Sequence, residues 1–323
     1  MHNDLIEVGW SESQWNRIVS VVNEEVQRAR IATQILPVIG PEDRTAVSFS
    51  DFRMTFGNSN LPPPPPQRLD VSSVPDHPLT TIQVPVQLSS SEMGDAALEA
   101  ALVKFRRAAN IVARIEDAVV FTDRPIPGPP LVGVAGIPLV YRVTGGGPRP
   151  GQLFELGLLP VDAAGPASPL DTRPLVVVNP PPLQLPGLWP LPPGNAVGEQ
   201  VTTAVIQALL ALEANGHSGP FACALCPYFY EAVYTPNANL LMAKDRILPI
   251  LNGPLVRSSA MNDYPFPYGV VIALGGSQVG LRVTSDINVK YVQATSEPRY
   301  LFRVSERLGL RVSDPSAIAV LTI

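Results

Sequence analysis

Lysine is nearly missing from this sequence: Lys104, Lys244 and Lys290 are the only three. Histidine is as scarce, at His2, His77 and His217, and cysteine scarcer still, at Cys223 and Cys226. The three histidines lie far apart, and none has a partner at metal-ligand spacing, so no metal motif is built on them. Two cysteines in a chain of 323 residues give no disulfide framework. Charged residues make up 16% of the chain, against about a quarter in an average soluble protein. The net charge of −5 leaves no basic footprint of the kind a nucleic-acid binder carries. A lean charged surface fits a subunit that hides much of itself against neighbours. Apart from the three lysines the basic side chains are arginines, whose planar fork suits buried and interface ion pairs; genomic base composition accounts for the same bias.

Long apolar runs are absent too. The most apolar stretch, Pro129 to Val143, is broken by Pro130 and Pro138 and is too short to span a bilayer as a helix. Asp4, Glu7 and Glu12 stand where a signal peptide would need apolar residues. The expectation is a cytoplasmic protein with no membrane partner.

The signatures of catalysis are missing as well. There is no Walker A sequence, no Gly-x-Gly-x-x-Gly and no Gly-x-Ser-x-Gly. Gly145 to Gly147 run into Pro148 rather than a helix, so they cradle no phosphate. Cys223 and Cys226 form a C-x-x-C, but within an apolar run of strand character. There the two Cα atoms stand about 10 Å apart at roughly 3.3 Å per residue, too far for a disulfide. No active site, cofactor or metal is expected.

What the sequence does have is a series of well-marked elements. A helix is predicted from about Ser13 to Ile31, with Ser11 and Gln14 as a capping box and Ile18, Val22, Val26 and Ala29 as its apolar stripe. Residues 42 to 90 read as extended, with near-alternation at Val47, Phe49 and Phe52 and at Ile82, Val84 and Val86. Between those runs lie five prolines, Pro62 to Pro66, which favour a stiff polyproline tip. A long helix is predicted from about Asp95 to Asp117, buried on most of its circumference by Leu98, Leu102, Phe105, Ala109 and Val112 together with Ala101, Ala108, Ile111 and Ile115. Glu116 and Asp117 then place two negative charges at its C-terminus, where the helix dipole disfavours them. A broken rule of this kind marks a specific partner such as an arginine. Residues 125 to 197 are rich in proline and glycine. Further helices are expected at Glu199 to Ala214, with Asn215-Gly216 as a left-handed cap, at Tyr228 to Tyr234 and at Leu240 to Leu251. Strands are expected at Phe221 to Cys226, Leu255 to Ser259, Val270 to Leu274, Val279 to Val292 and Tyr300 to Val312.

Several segments, in order, resemble one family. They are Trp15-Asn16-Arg17-Ile18 with the exit Gly40-Pro41; the helix end Glu116-Asp117-Ala118-Val119-Val120-Phe121; and Gly219-Pro220-Phe221-Ala222 with Pro227 and Tyr230. Leu251-Asn252-Gly253-Pro254-Leu255-Val256 follows. Then come Asp286 through Tyr291, Phe302-Arg303-Val304-Ser305-Glu306 and Arg311-Val312 with Pro315 and Ala317. Together they are similar to the encapsulins, whose shells share the fold of tailed-phage capsid proteins, and they cover most of the chain outside residues 144 to 197.

The resemblance implies an α+β, HK97-like capsid fold. Its parts would be an N-terminal helix and arm at 1–41, an E-loop at 42–90, and a P-domain split between a spine helix at 91–130 and C-terminal strands at 284–323. An A-domain at 131–283 would carry a proline-rich insertion at 144–197, longer than the family's usual connection. It also implies a structural shell subunit rather than an enzyme, self-assembling into a closed icosahedral nanocompartment on the order of 60 copies or more. Its partners would be other copies of the chain and a cargo protein with a C-terminal targeting peptide, with no nucleic acid. The alternative is a major capsid protein of a tailed phage or prophage. Family shells dock the cargo peptide in an apolar groove beside the N-terminal helix, which makes Val22, Val26 and Ile31 the candidate docking residues; packing onto the subunit's own core is the other expectation for them.

Overall fold

The computed structural model describes residues 9–40, 48–56, 69–121, 142–144, 194–237, 239–262, 268–294 and 299–322. The polyproline run Pro62–Pro66 and all but the two ends of segment 144–197 lie outside them.

Helix α1 spans Glu12–Ala29. It starts where the sequence says: the Ser11 side chain accepts from the Gln14 N–H and the Gln14 side chain accepts from the Ser11 N–H, closing a capping box. Trp15, Ile18, Val22 and Val26 form its buried face. A short helix α2, Ala32–Ile35, follows, and then strand β1, Val38–Ile39.

Strands β2 (Ser48–Phe56) and β3 (Leu69–Pro78) pair antiparallel in a sheet of their own. The root of this hairpin is anchored: Phe49 is buried and packs at Gly309, where an added Cβ would collide with its ring, and the Arg282 guanidinium lies 5.1 Å from the ring centroid. The chain then runs directly into β4 (Thr80–Ser89), whose burial alternates residue by residue as a half-buried strand should.

After a single turn of helix, α3 (Ser90–Met93), comes the spine helix α4, Glu99–Phe121. It begins later than Asp95 because Leu98 takes a positive φ of 54°. Asp95 still caps the entry, its carboxylate accepting from the N–H groups of Ala97 and Glu99. It also ends four residues later than the charges suggest, because Ala118, Val119, Val120 and Phe121 are all buried and extend the apolar face.

Two further sheets complete the fold. The first has the order β1-β9-β10-β4-β5, where β9 is Val279–Ala294, β10 is Arg299–Val312 and β5 is Arg142–Thr144. The spine helix and α1 cover one face of it. At their meeting point Phe302 of β10 stacks on Trp10 at 5.0 Å and meets Phe105 edge-on at 5.4 Å. The second sheet has the order β11-β8-β6-β7, with β6 at Phe221–Leu225, β7 at Leu255–Arg257, β8 at Tyr268–Ala273 and β11 at Ile318–Thr322. It packs under α5 (Gly194–Ala214), α6 (Pro227–Tyr234) and α7 (Lys244–Leu251). The last strand of the chain therefore leaves the first sheet and closes the edge of the second, pairing Ile318–Thr322 with Ile272–Tyr268.

Candidate functional site

Glu116 and Asp117 have the partners their position demands. Arg30 caps the C-terminus of α1 and is 4% exposed. Its Nε donates to Glu116 Oε2 at 2.6 Å, its Nη1 to Asp286 Oδ1 at 3.0 Å and its Nη2 to Glu306 Oε1. One guanidinium thus ties the end of α1 to the spine helix, to β9 and to β10, a task its fork of donors suits. Asp117 accepts from the N–H groups of Ile31 and Ala32 at 3.0 and 2.8 Å, and so caps the start of α2.

The cluster holds more carboxylates than cations. Burial raises the Glu116 carboxyl above its ordinary value against the opposing pull of Arg30. Burial, with the neighbouring Glu116, raises Glu306 well above its own. Burial and Glu116 likewise raise Asp117. Glu116 Oε1 and Glu306 Oε2 are both shielded from water and accept no hydrogen bond from a permanent donor. That is the arrangement in which two carboxyls share a proton. Glu306 occupies a position of β10 where the neighbours of the same parity, Phe302, Val304 and Leu308, are all buried. A glutamate in that alternation was the sequence signal for this partner.

Beside the cluster runs a cleft of about 1040 Å³. One wall is α1, through Val19, Val22, Asn23 and Gln27; the other is the sheet. Every residue of β9 from Val283 to Lys290 lines it, with Arg303, Ser305 and Arg307 of β10 and Thr81 and Gln83 of β4. Of the three candidate docking residues, Val22 stands in the cleft wall but is itself buried in the core at 1% exposure. Val26 is buried in the core at 2% exposure, and Ile31 is partly buried against it. Val19 joins Val22 on the cleft wall, three residues and just under one helical turn before it.

The other sequence features fall elsewhere. Cys223 is buried within β6, and burial pushes its thiol up. Cys226 is buried and caps α6, its sulfur accepting from the Phe229 N–H at 3.4 Å. Among the described residues no group of three or more His, Cys, Asp or Glu is placed to hold a metal ion. His217 Nε2 lies 2.8 Å from Ser316 Oγ, which donates to Asp314 at 2.6 Å. The serine sits between the other two and gives its own proton to the aspartate, so the trio is a structural tie, not a nucleophile activated by a base. No described helix is long and apolar enough to cross a membrane.

Residues 183–308 match the model of a family described as "Encapsulating protein for peroxidase". Over 121 residues the chain is 31% identical to the type 1 encapsulin shell protein EncA of Myxococcus xanthus, covering 36% of this chain and 40% of the relative. The chain therefore matches about 40% of that relative's length. Its fold is similar over 95% of its length to the virus-like particle from Pyrococcus furiosus, with a TM-score of 0.61, 15% identity and 99% of that chain covered. The capsid of Myoviridae phage XM1 is similar over 88% of this chain and 89% of its own, at a TM-score of 0.52 and 13% identity. What the chain shares with these proteins is a capsid-type α+β fold of the HK97 kind over nearly its whole length and a sequence match to the encapsulating-protein family over 183–308.

Proposed function

We propose that the chain is a structural shell subunit that self-assembles into a closed icosahedral nanocompartment in the cytoplasm and encloses a cargo protein. The observation that carries this reading is the coincidence of the encapsulating-protein match at 183–308 with a capsid-type fold across the chain. Three features of the subunit support it physically. The β2–β3 hairpin pairs with no other strand among the described residues, and such a hairpin gains backbone and side-chain partners when it lies on a neighbouring subunit. Tyr234, Leu240, Leu241, Leu248 and Ile250 are exposed together around α6 and α7, as a surface awaiting another copy would be. The buried Arg30 cluster fixes α1 against the sheet, which gives the cleft two rigid walls.

In this reading the hairpin is the E-loop, α4 and the first sheet form the P-domain, and the second sheet with α5 to α7 forms the A-domain. The cleft beside α1 takes the targeting peptide of the cargo. Val19, partly buried on the cleft wall, offers it an aliphatic contact, while Val22 and Val26, both buried in the core, and Ile31, partly buried against it, hold that wall in place. The catalytic role is nil, and any activity of an isolated shell belongs to its cargo.

Expression of the chain alone tests the shell reading. Closed empty particles support it. A head that fills with DNA in the company of portal and protease genes favours the phage capsid, which the XM1 likeness keeps as the second reading.

A further inference from the structure

The cleft has a chemical sign. Its lining holds two carboxylates, Asp286 and Glu306, and Arg30 engages both. The remaining charged residues of the lining are Lys290, Arg303 and Arg307, all cationic. They share one surface: Lys290 is the cross-strand partner of Arg303, so the two side chains leave the sheet on the same face. Arg307 lies two steps of alternation along β10 from Arg303 and donates through Nε to Thr81 Oγ1. Lys290 and Arg303 are both exposed. A chain with three lysines and a net charge of −5 thus gathers three cations on one wall of one cleft.

The cleft also has an open strand edge. Among the described residues β9 is flanked on this side only by β1, which pairs at Leu281 and Arg282 and no further. From Val283 to Lys290 every residue, of both parities, touches the cleft. A cavity lying over a sheet face meets alternate residues; one that meets them all runs along the strand's edge, where N–H and C=O groups point outward.

We propose that this cleft binds an extended peptide segment of the cargo, added as a strand along the β9 edge, with carboxylates facing Lys290 and Arg303 and aliphatic side chains facing the α1 wall at Val19. The proposal rests on reading the cleft as the peptide-docking site. Charge complementarity selects an acidic occupant, the strand edge selects an extended one, and the valine wall selects an aliphatic second face. A nucleic-acid occupant is disfavoured because no aromatic residue lines the cleft, which removes the stacking platform that single strands use.

The test uses the full chain and short fluorescent peptides alternating valine with aspartate, asparagine or lysine, read by anisotropy at low and high salt. Light scattering of the same samples reports assembly. The aspartate peptide is expected to bind at least roughly tenfold more tightly than the asparagine one, since loss of even one charge-assisted hydrogen bond is worth on the order of tenfold. Salt should narrow that gap. The pair K290Q/R303Q should erase the preference while particles still form, and the conservative pair K290R/R303K should retain it. Equal binding of the three peptides, tighter binding of the lysine peptide, or displacement of the aspartate peptide by an oligonucleotide at lower concentration would overturn the proposal. So would loss of assembly in K290Q/R303Q with assembly kept in K290R/R303K, because the cations would then belong to a contact between subunits. Absence of particles from the unaltered chain counts against the shell reading; particles without a preference for the acidic peptide count against this inference alone.

Discussion

Arg30 pairs with three carboxylates on three different elements. Removing it leaves Glu116 and Glu306 buried without their cation, and breaking a buried pair from one side costs about 3–5 kcal/mol. R30M is therefore expected to lower the thermal midpoint, followed by tryptophan fluorescence, far more than E306Q does. An R30M midpoint equal to that of E306Q would show that the cluster does not hold the helix. The same residues set a pH dependence. Glu116 and Glu306 bind protons more tightly folded than unfolded. The native state then carries more protons, so their contribution is present in full below the ordinary glutamate value and is lost as pH rises towards the raised folded values. Stability attributable to the cluster should fall across that rise, and E306Q should flatten the fall. A steeper fall in E306Q would reverse the assignment. The partner of Glu116 was legible in the sequence as a need without an address, whereas Asp117 is met by the backbone N–H groups of Ile31 and Ala32. Two acids near a helix end announce a cation, but only the fold brings in Arg30, 86 residues away.

At the scale of elements, local chemistry located the helices well. The capping box at Ser11 formed as its spacing dictates, and S11A should cost about 1 kcal/mol of stability in chemical denaturation. No change there would mean that the end of α1 is held by its packing alone. The spine helix was found but its bounds moved, because Leu98 turns out of helical geometry and the apolar run 118–121 outweighs the charges before it. The long strands β9 and β10 match their predicted runs to within two residues. The strands β1 and β5, of two and three residues, left no periodic signal, since their existence depends on partners far along the chain. The same limit hid the cleft, whose walls come from four separated segments. Gly253 marks one place where the backbone admits no side chain: an added Cβ would sit 2.3 Å from the Phe221 carbonyl oxygen. G253A should therefore disturb the β6–β7 pairing and lower the thermal midpoint by more than S11A. A neutral G253A would mean that the close approach can relax.

For the molecule as a whole, a low charge content, an extended arm and the ordered motifs pointed to a shell subunit of capsid-type fold, and the fold itself is of that type. Val26 shows how scale changes the reading of a residue. Its helical stripe is the same whether the stripe faces cargo or core, and burial at 2% puts it against the core. V26D is accordingly expected to prevent the subunit from folding, whereas Q27D, on the cleft, should leave folding and assembly intact. The central claim is assembly itself. Light scattering with negative-stain microscopy on the chain expressed alone tests it most directly. Closed particles of megadalton mass are the expected result; a stable monomer or dimer would contradict it.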